Sequence, residues 1–250
     1  MSVATMLSIL LIGAGVGFLG GLLGKGGSAV ATPLLVAIGL PPIVAVAAPL
    51  PATVPGALVA ASRYRRLGLI DRDVMNWSLI VGIPATIIGA VATRWIDGTH
   101  LVVATEVIIV GIGLRMLIGS TTVQAERSPG DQRTRTVVVA LVTGLAAGLL
   151  ANSGGFLLAP LFVTVLGMSI KPALGTSLAV ASALAIPGTF VHMLLGHLDF
   201  TVVAIFAVGS VPLSSLGARV ALRTDGAKLE RIYGAVLVVF GVVFLAREYL

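Results

Sequence analysis

The chain has no cysteine in 250 residues, which excludes a disulfide framework, a thiolate metal site and a thiol nucleophile. Charge is also scarce. Asp, Glu, Lys and Arg make up 10% of the residues where about 25% is usual, and 57% are hydrophobic, so a soluble globular domain is excluded. No His-Glu-x-x-His helix, glycine-flanked serine elbow or pair of intramembrane aspartates is present, so the motifs of intramembrane proteases are missing. No Lys or Arg precedes Lys25, so the basic leader of a signal peptide is lacking, and the first apolar segment is read as part of the mature protein.

What is present is apolar sequence with glycine and proline inside it. Mean hydropathy is +1.10, and the 31 glycines and 12 prolines lie within hydrophobic runs, as membrane helices tolerate and disordered linkers do not. The segments fall near residues 3–23, 28–40, 43–62, 74–95 and 100–118, and again near 136–151, 154–167, 172–195, 200–222 and 229–246. A polar stretch, Ser120 to Arg135, separates the sets. Residues 1–118 thus form a first membrane repeat, 119–135 an inter-repeat loop and 136–250 a second repeat. Most segments are near the ~20 residues that span a ~30 Å hydrocarbon layer. The second of each set is too short, and is read as a thin tilted helix or as half of a re-entrant hairpin. Those readings give ten or six spans, with eight requiring the halves to differ. Trp77 and Trp95, bracketing the fourth segment, suit two interfacial belts.

The repeat has a register. Gly68-Leu69-Ile70-Asp71 matches Gly196-His197-Leu198-Asp199 at an offset of 128, as do Pro84 with Pro212, Gly89 with Gly217 and Gly113 with Gly241; Gly27 and Pro33 match Gly154 and Pro160 at 127. The net charge of +6 reads as topology rather than as a nucleic-acid footprint. With an odd number of crossings per half, nearly all cations fall on one side and only Arg94 and Arg247 on the other. The basic stretch Arg63 to Arg72 has a repeat mate, Val191 to Phe200, without Lys or Arg. Homologous loops are therefore expected on opposite faces, which makes the halves inverted. The fold expected is an all-α polytopic membrane protein of two inverted repeats, about five apolar segments each, with Gly/Pro-interrupted helices.

Candidate site residues lie at the breaks. Gly24-Lys25-Gly26-Gly27-Ser28 and its mate Asn152-Ser153-Gly154-Gly155 free backbone N–H groups inside apolar sequence, which membranes tolerate only beside a cavity or within protein. A helix restarting there presents its positive end, suited to an anion. The alternative is close helix packing on small residues. Segment three carries Pro41, Pro42, Pro49, Pro51 and Pro55, so a continuous helix over 41–62 is not expected. Glu106, the one carboxylate well inside an apolar segment, is the candidate for coupling to a proton or cation, with an interfacial position as the alternative. His192 and His197 fall in an expected outer loop, where they read as solvated residues, with sensing or carrying protons as the alternative, and Arg115 reads as a snorkelling cation.

These motifs together, with Ala45-x-Ala47-Ala48-Pro49-Leu50, Arg63-Tyr64-Arg65-Arg66-Leu67-Gly68-Leu69-Ile70-Asp71 and Ala173-x-Gly175-Thr176-Ser177-Leu178, resemble the TauE/SafE sulfite exporter family over nearly the whole chain. The resemblance implies export of a small sulfur anion such as sulfite, sulfoacetate or thiosulfate across a prokaryotic plasma membrane, with no bound cofactor and no metal. The implied partners are that anion, the bilayer and a coupling proton or cation, with no nucleic acid. Two departures stand out: Lys25 occupies a position often apolar in the family, and the polar pair is lost at Ala48-Pro49 but kept at Thr176-Ser177. Binding is then lopsided, a cation from one half facing hydroxyls from the other. An ion channel is the alternative function, and an intramembrane enzyme the weaker one.

Overall fold

The computed structural model describes residues 1–24, 28–92, 110–118, 129–149 and 155–249, and among these there is no strand. The helices are α1 (Val3–Leu22), α2 (Ser28–Ala37), α3 (Pro42–Ala47), α4 (Pro49–Arg66), α5 (Arg72–Ala92), α6 (110–118), α7 (Pro129–Leu149), α8 (Gly155–Thr164), α9 (Ile170–Leu194), α10 (Phe200–Arg223) and α11 (Gly226–Tyr249). Among the described residues, four helices are long and apolar enough to cross a bilayer: α1, α3 with α4, α9 and α10. At ~1.5 Å per residue, the 20 residues of α1 match a ~30 Å hydrocarbon layer.

The prolines of segment three disturb the helix less than expected. α3 and α4 are separated by Ala48 alone, whose φ of −60° and ψ of −35° stay helical, Pro55 lies inside α4, and Pro42–Arg66 forms one span. At the inter-repeat loop the boundary differs from that expected, because α7 begins at Pro129 and Pro129–Arg135 is helical. The polar residues there form the first turns of a helix instead of a loop. Pro129 suits a first helical position, and Arg135 pairs with Asp131 one turn back at 3.0 Å. Trp95 and residues 100–109 lie outside the described residues. Trp77 carries the Arg133 guanidinium 3.7 Å above its ring, a cation–π contact that places a charge at the end of α5.

The repeated Gly-x-x-Asp motif is a helix–turn–helix connector. Gly68 and Gly196 adopt φ of +67° and +69°, which L side chains rarely adopt, and end α4 and α9. Their successors reach back six residues inclusive: Leu69 N–H donates to Tyr64 O and His197 N–H to His192 O, both at 3.0 Å. Asp71 Oδ1 then caps the Val74 N–H and Asp199 Oδ1 the Val202 N–H, so the same four residues start α5 and α10. Asp199 also accepts from Thr201 N–H. Asp199→Ala is expected to destabilise the protein by about 1 kcal/mol, the usual worth of an N-cap; thermal melting in detergent checks this, with Asp199→Asn expected to recover most of the loss.

Packing is set by where backbones can approach. On α1, Gly13, Gly17 and Gly21 face Phe206, Ser210 and Ser214 of α10, and a Cβ at any of them would collide with the partner's carbonyl oxygen. Gly209 and Gly217 of α10 answer against Leu10 and Phe18. Residue numbers rise together, so α1 and α10 run parallel. The repeat mates make the same interface: α7 packs along α5, with Gly144 against Gly82 and Gly89 against Leu145. At the register read from the sequence, Gly144 is the mate of Gly17, Gly82 of Ser210, Gly89 of Gly217 and Leu145 of Phe18. Each repeat thus lends its first helix to the other. Without a hydrophobic drive between helices in lipid, such close approach carries much of the association energy.

Across the centre α4 meets α9, with Gly175 against Tyr64 and Gly188 beside Leu50, so these two helices run antiparallel. The larger core joins them to α8 through Tyr64, Leu158, Phe162, Leu174 and Leu178, all fully buried. A smaller core of Ile9, Leu35, Ala45, Ala48 and Phe206 sits beneath α2 and α3.

Candidate functional site

Helix α1 ends on Leu23 and Gly24, where Gly24 takes φ +67°. Its carbonyl lies 3.4 Å from Ser177 Oγ, and a Cβ there would meet Ser177 Oγ at 2.5 Å and Leu174 Cδ2 at 3.0 Å, both on α9, with Ala159 of α8 also adjoining. The broken end of the first repeat therefore abuts two helices of the second. Ser177 is fully buried and also donates to Leu174 O at 2.9 Å. With one hydroxyl proton shared between two carbonyls, its oxygen retains acceptor lone pairs.

Thr176 is equally buried and makes a different contact. Its Oγ1 accepts the Asp71 N–H at 3.0 Å, pinning the α4–α5 turn onto α9. The two adjacent hydroxyls that the sequence grouped as one site are separated by the helix itself, because neighbouring residues project about 100° apart at 3.6 residues per turn. Ser28 opens α2 and Gly155 opens α8, so each short helix starts at its break, and each contains a proline, Pro33 or Pro160. α2 also touches α8. Lys25, Gly26, Gly27, Asn152, Ser153, Gly154 and Glu106 lie outside the described residues.

Two buried hydroxyls that sequence reasoning did not select lack a partner among the described residues, one beside Gly175 and one along α1. The Tyr64 ring packs against Gly175, and its hydroxyl is buried with no hydrogen-bond partner among the described residues. Ser210, facing Gly17, is buried and unpartnered in the same sense. The four-residue spacing of Ser210 and Ser214 on α10 was a visible signal of a small-residue face, although not of an unsatisfied hydroxyl.

The two ends of the α4–α9 pair are unequal. The face of α4 formed by Ala57, Ala60, Ala61 and Tyr64 is buried throughout. The matching positions on α9 are Ala185, Gly188, Thr189 and His192, of which only Ala185 is buried while the other three are half-buried. These positions share one stripe of each helix, and Gly188 of the α9 stripe lies beside Leu50 of α4. His192 Nδ1 stands 3.2 Å from His197 Nδ1 at this looser end. Arg115 is exposed on α6, as a snorkelling residue would be.

Cations brace the tighter end. Arg63 Nε donates to Ser215 Oγ of α10 at 2.7 Å, and Lys171 Nζ to Leu222 O at 3.0 Å, which neutralises the negative end of α10. Among the described residues no group of three or more His, Cys, Asp or Glu side chains is placed to hold a metal ion.

Comparison with known proteins finds relatives along nearly the whole chain. The sequence profile of the family described as "Sulfite exporter TauE/SafE" matches residues 9–244. The chain is 30% identical over 256 residues to a "Probable membrane transporter protein" of Xylella fastidiosa (strain 9a5c), covering 96% of each sequence. It is 25% identical over 253 residues to the "Probable membrane transporter protein YjnA" of Bacillus subtilis (strain 168), covering 94% of this chain and 97% of that protein. No solved structure matches the chain.

Proposed function

This chain belongs to the sulfite exporter TauE/SafE family and is an integral plasma-membrane transporter, not an enzyme, and from that premise we propose that it exports a small sulfur-containing anion such as sulfite, sulfoacetate or thiosulfate. The observation that carries this reading is the abutment of the α1 break at Gly24 on the buried hydroxyl of Ser177. A helix interrupted inside apolar sequence leaves amide groups that need a polar partner, and an anion held between two such breaks supplies one. Lys25, Gly26, Gly27 and Ser28 from one half and Asn152, Ser153, Gly154 and Gly155 from the other are the proposed lining, with Ser177 adjoining. Thr176 serves as a support for the turn at Asp71. Glu106 remains the proposed coupling group for a proton or cation.

The proposed mechanism is alternating access between inverted repeats, residues 1–118 and 136–250. Three features support it: mated helices α4 and α9 run antiparallel, the first helices are exchanged between halves, and the stripe on α4 is closed where that on α9 is loose. In this reading the basic end, with Arg63 to Arg72, faces the cytoplasm and is shut, while the end with His192 and His197 is accessible from outside. Exchanging the conformations of the two halves would open the basic end.

Reconstituted vesicles are expected to show saturable flux of at least one of the three anions that responds to an imposed proton or cation gradient. Non-saturating flux indifferent to gradients would instead identify a channel. In oriented membranes, a membrane-impermeant thiol reagent should label single cysteines within 63–72 from one side and within 191–199 from the other; labelling of both from the same side overturns the inverted arrangement.

A further inference from the structure

A groove of about 500 Å³ runs beside the α4–α5 turn, away from the contact of Gly24 with Ser177. Its wall is mostly apolar, formed by Leu58 and Ala61 of α4, Met75 of α5 and Ala179 of α9, with the hydroxyls of Ser62 and Ser182 among them. At its mouth stand Arg65, in the last turn of α4, and Arg72, the first residue of α5. Both are exposed, and among the described residues no carboxylate lies within salt-bridge distance of either. Leu58 lies two helical turns, about 10 Å, from Arg65 along α4. The groove therefore runs from the charged helix ends toward the middle of the apolar span α4.

We infer that this groove binds an anionic phospholipid, its phosphate between Arg65 and Arg72 and an acyl chain along Leu58, Ala61 and Ala179. Two arguments favour a lipid over a free oxyanion. The volume falls within the ~300–1,000 Å³ typical of sites for drug-sized molecules and far exceeds a bare tetrahedral anion. The apolar wall would gain nothing from a hydrated ion, whereas it buries acyl methylenes, and basic pockets between membrane helices on the cytoplasmic side are suited to anionic headgroups. The repeat mates add a contrast. Arg65 corresponds to Met193 and Arg72 to Phe200, both exposed and apolar, so the same backbone frame does without cations at the opposite end. The paired charge is thus not needed to build the helix–turn–helix; it marks one end of the protein for an anionic leaflet.

The test is lipid binding to the purified full-length protein in detergent, read by native mass spectrometry and thermal shift, with dioleoylphosphatidylglycerol, dioleoylphosphatidylcholine and inorganic phosphate as separate probes. Phosphatidylglycerol is expected to remain bound and raise the melting temperature, while phosphatidylcholine and inorganic phosphate do neither. The R65Q/R72Q variant should lose affinity for phosphatidylglycerol by tenfold or more. R63Q/R66Q, which removes the same charge from a different groove across α4, should keep it. Leu58→Trp retains both arginines and fills the apolar wall; it should also release the lipid, and it provides the reading if R65Q/R72Q does not fold. Equal binding of the two lipids, equal losses in the two arginine pairs, or competition by inorganic phosphate at matched concentration would overturn the assignment.

Discussion

Valine at Gly21 should lower the melting temperature of the detergent-solubilised protein by roughly 6–12 °C or more, while valine at Gly15 should leave it nearly unchanged. Both glycines lie on α1 and undergo the same change in propensity, so the comparison isolates packing. A Cβ at Gly21 would fall on the Ser214 carbonyl of α10, whereas at Gly15 it would meet nothing within 4 Å. A backbone carbonyl cannot rotate away as a side chain can, so the helices must separate, and contacts on either side at Gly17 and Gly217 loosen as well. Overpacking a core by a few methylenes costs about 1–3 kcal/mol. At about 2–4 °C per kcal/mol for a chain of this size, the upper end of that range gives the stated shift. A loss as large for Gly15→Val would mean that helix propensity, not the α1–α10 interface, sets the stability. Because α5 and α7 repeat the interface, Gly144→Val should behave like Gly21→Val.

Ser177→Ala should reduce sulfur-anion flux at least tenfold with little change in melting temperature. The hydroxyl donates to Leu174 O and approaches Gly24 O, and removing it deletes no buried apolar contact. What is lost is the contact that holds the Gly24 carbonyl at the break in α1, so the expected effect on flux comes through the shape of the break and not through a bond from the hydroxyl to the anion, its proton being committed to carbonyls. Thr176→Ala should behave in the opposite way. It strips the acceptor from the Asp71 N–H, and an unsatisfied buried donor costs about 1–3 kcal/mol. Stability should fall, with Thr176→Ser restoring it. The double variant should combine both losses. Equal flux in Ser177→Ala and the parent protein, measured in vesicles at matched protein density, would remove Ser177 from the transport path.

Much of the architecture was legible before any coordinates. The apolar segments near 3–23 and 200–222 became α1 and α10 within a residue or so, because a run of twenty apolar residues has few folded alternatives in lipid. The Gly-x-x-Asp register was visible as a repeat, and its cause lies in two local demands, a left-handed glycine to end one helix and a carboxylate to cap the next. The proline cluster pointed to a weak place in the third span, but the chain passes through Ala48 in helical conformation. The start of α7 was not legible, since polar residues from Pro129 to Arg135 fit a loop and a protruding helix equally well by composition. Nor was the separation of Thr176 from Ser177, because adjacency in sequence says little about which neighbour each hydroxyl meets.

Composition and periodicity by themselves determined that this chain lives in a membrane, that it is helical and that its sequence carries an internal repeat of glycine and proline landmarks. Those properties follow from the cost of exposing backbone polar groups to hydrocarbon and from local backbone sterics, and both act within a few residues. Only the tertiary structure decided that α1 crosses to α10 and α7 to α5, that α4 and α9 oppose each other, and that Gly24 finds Ser177 rather than Thr176. Such pairings depend on which surfaces fit without a Cβ between them, a property of two helices at once.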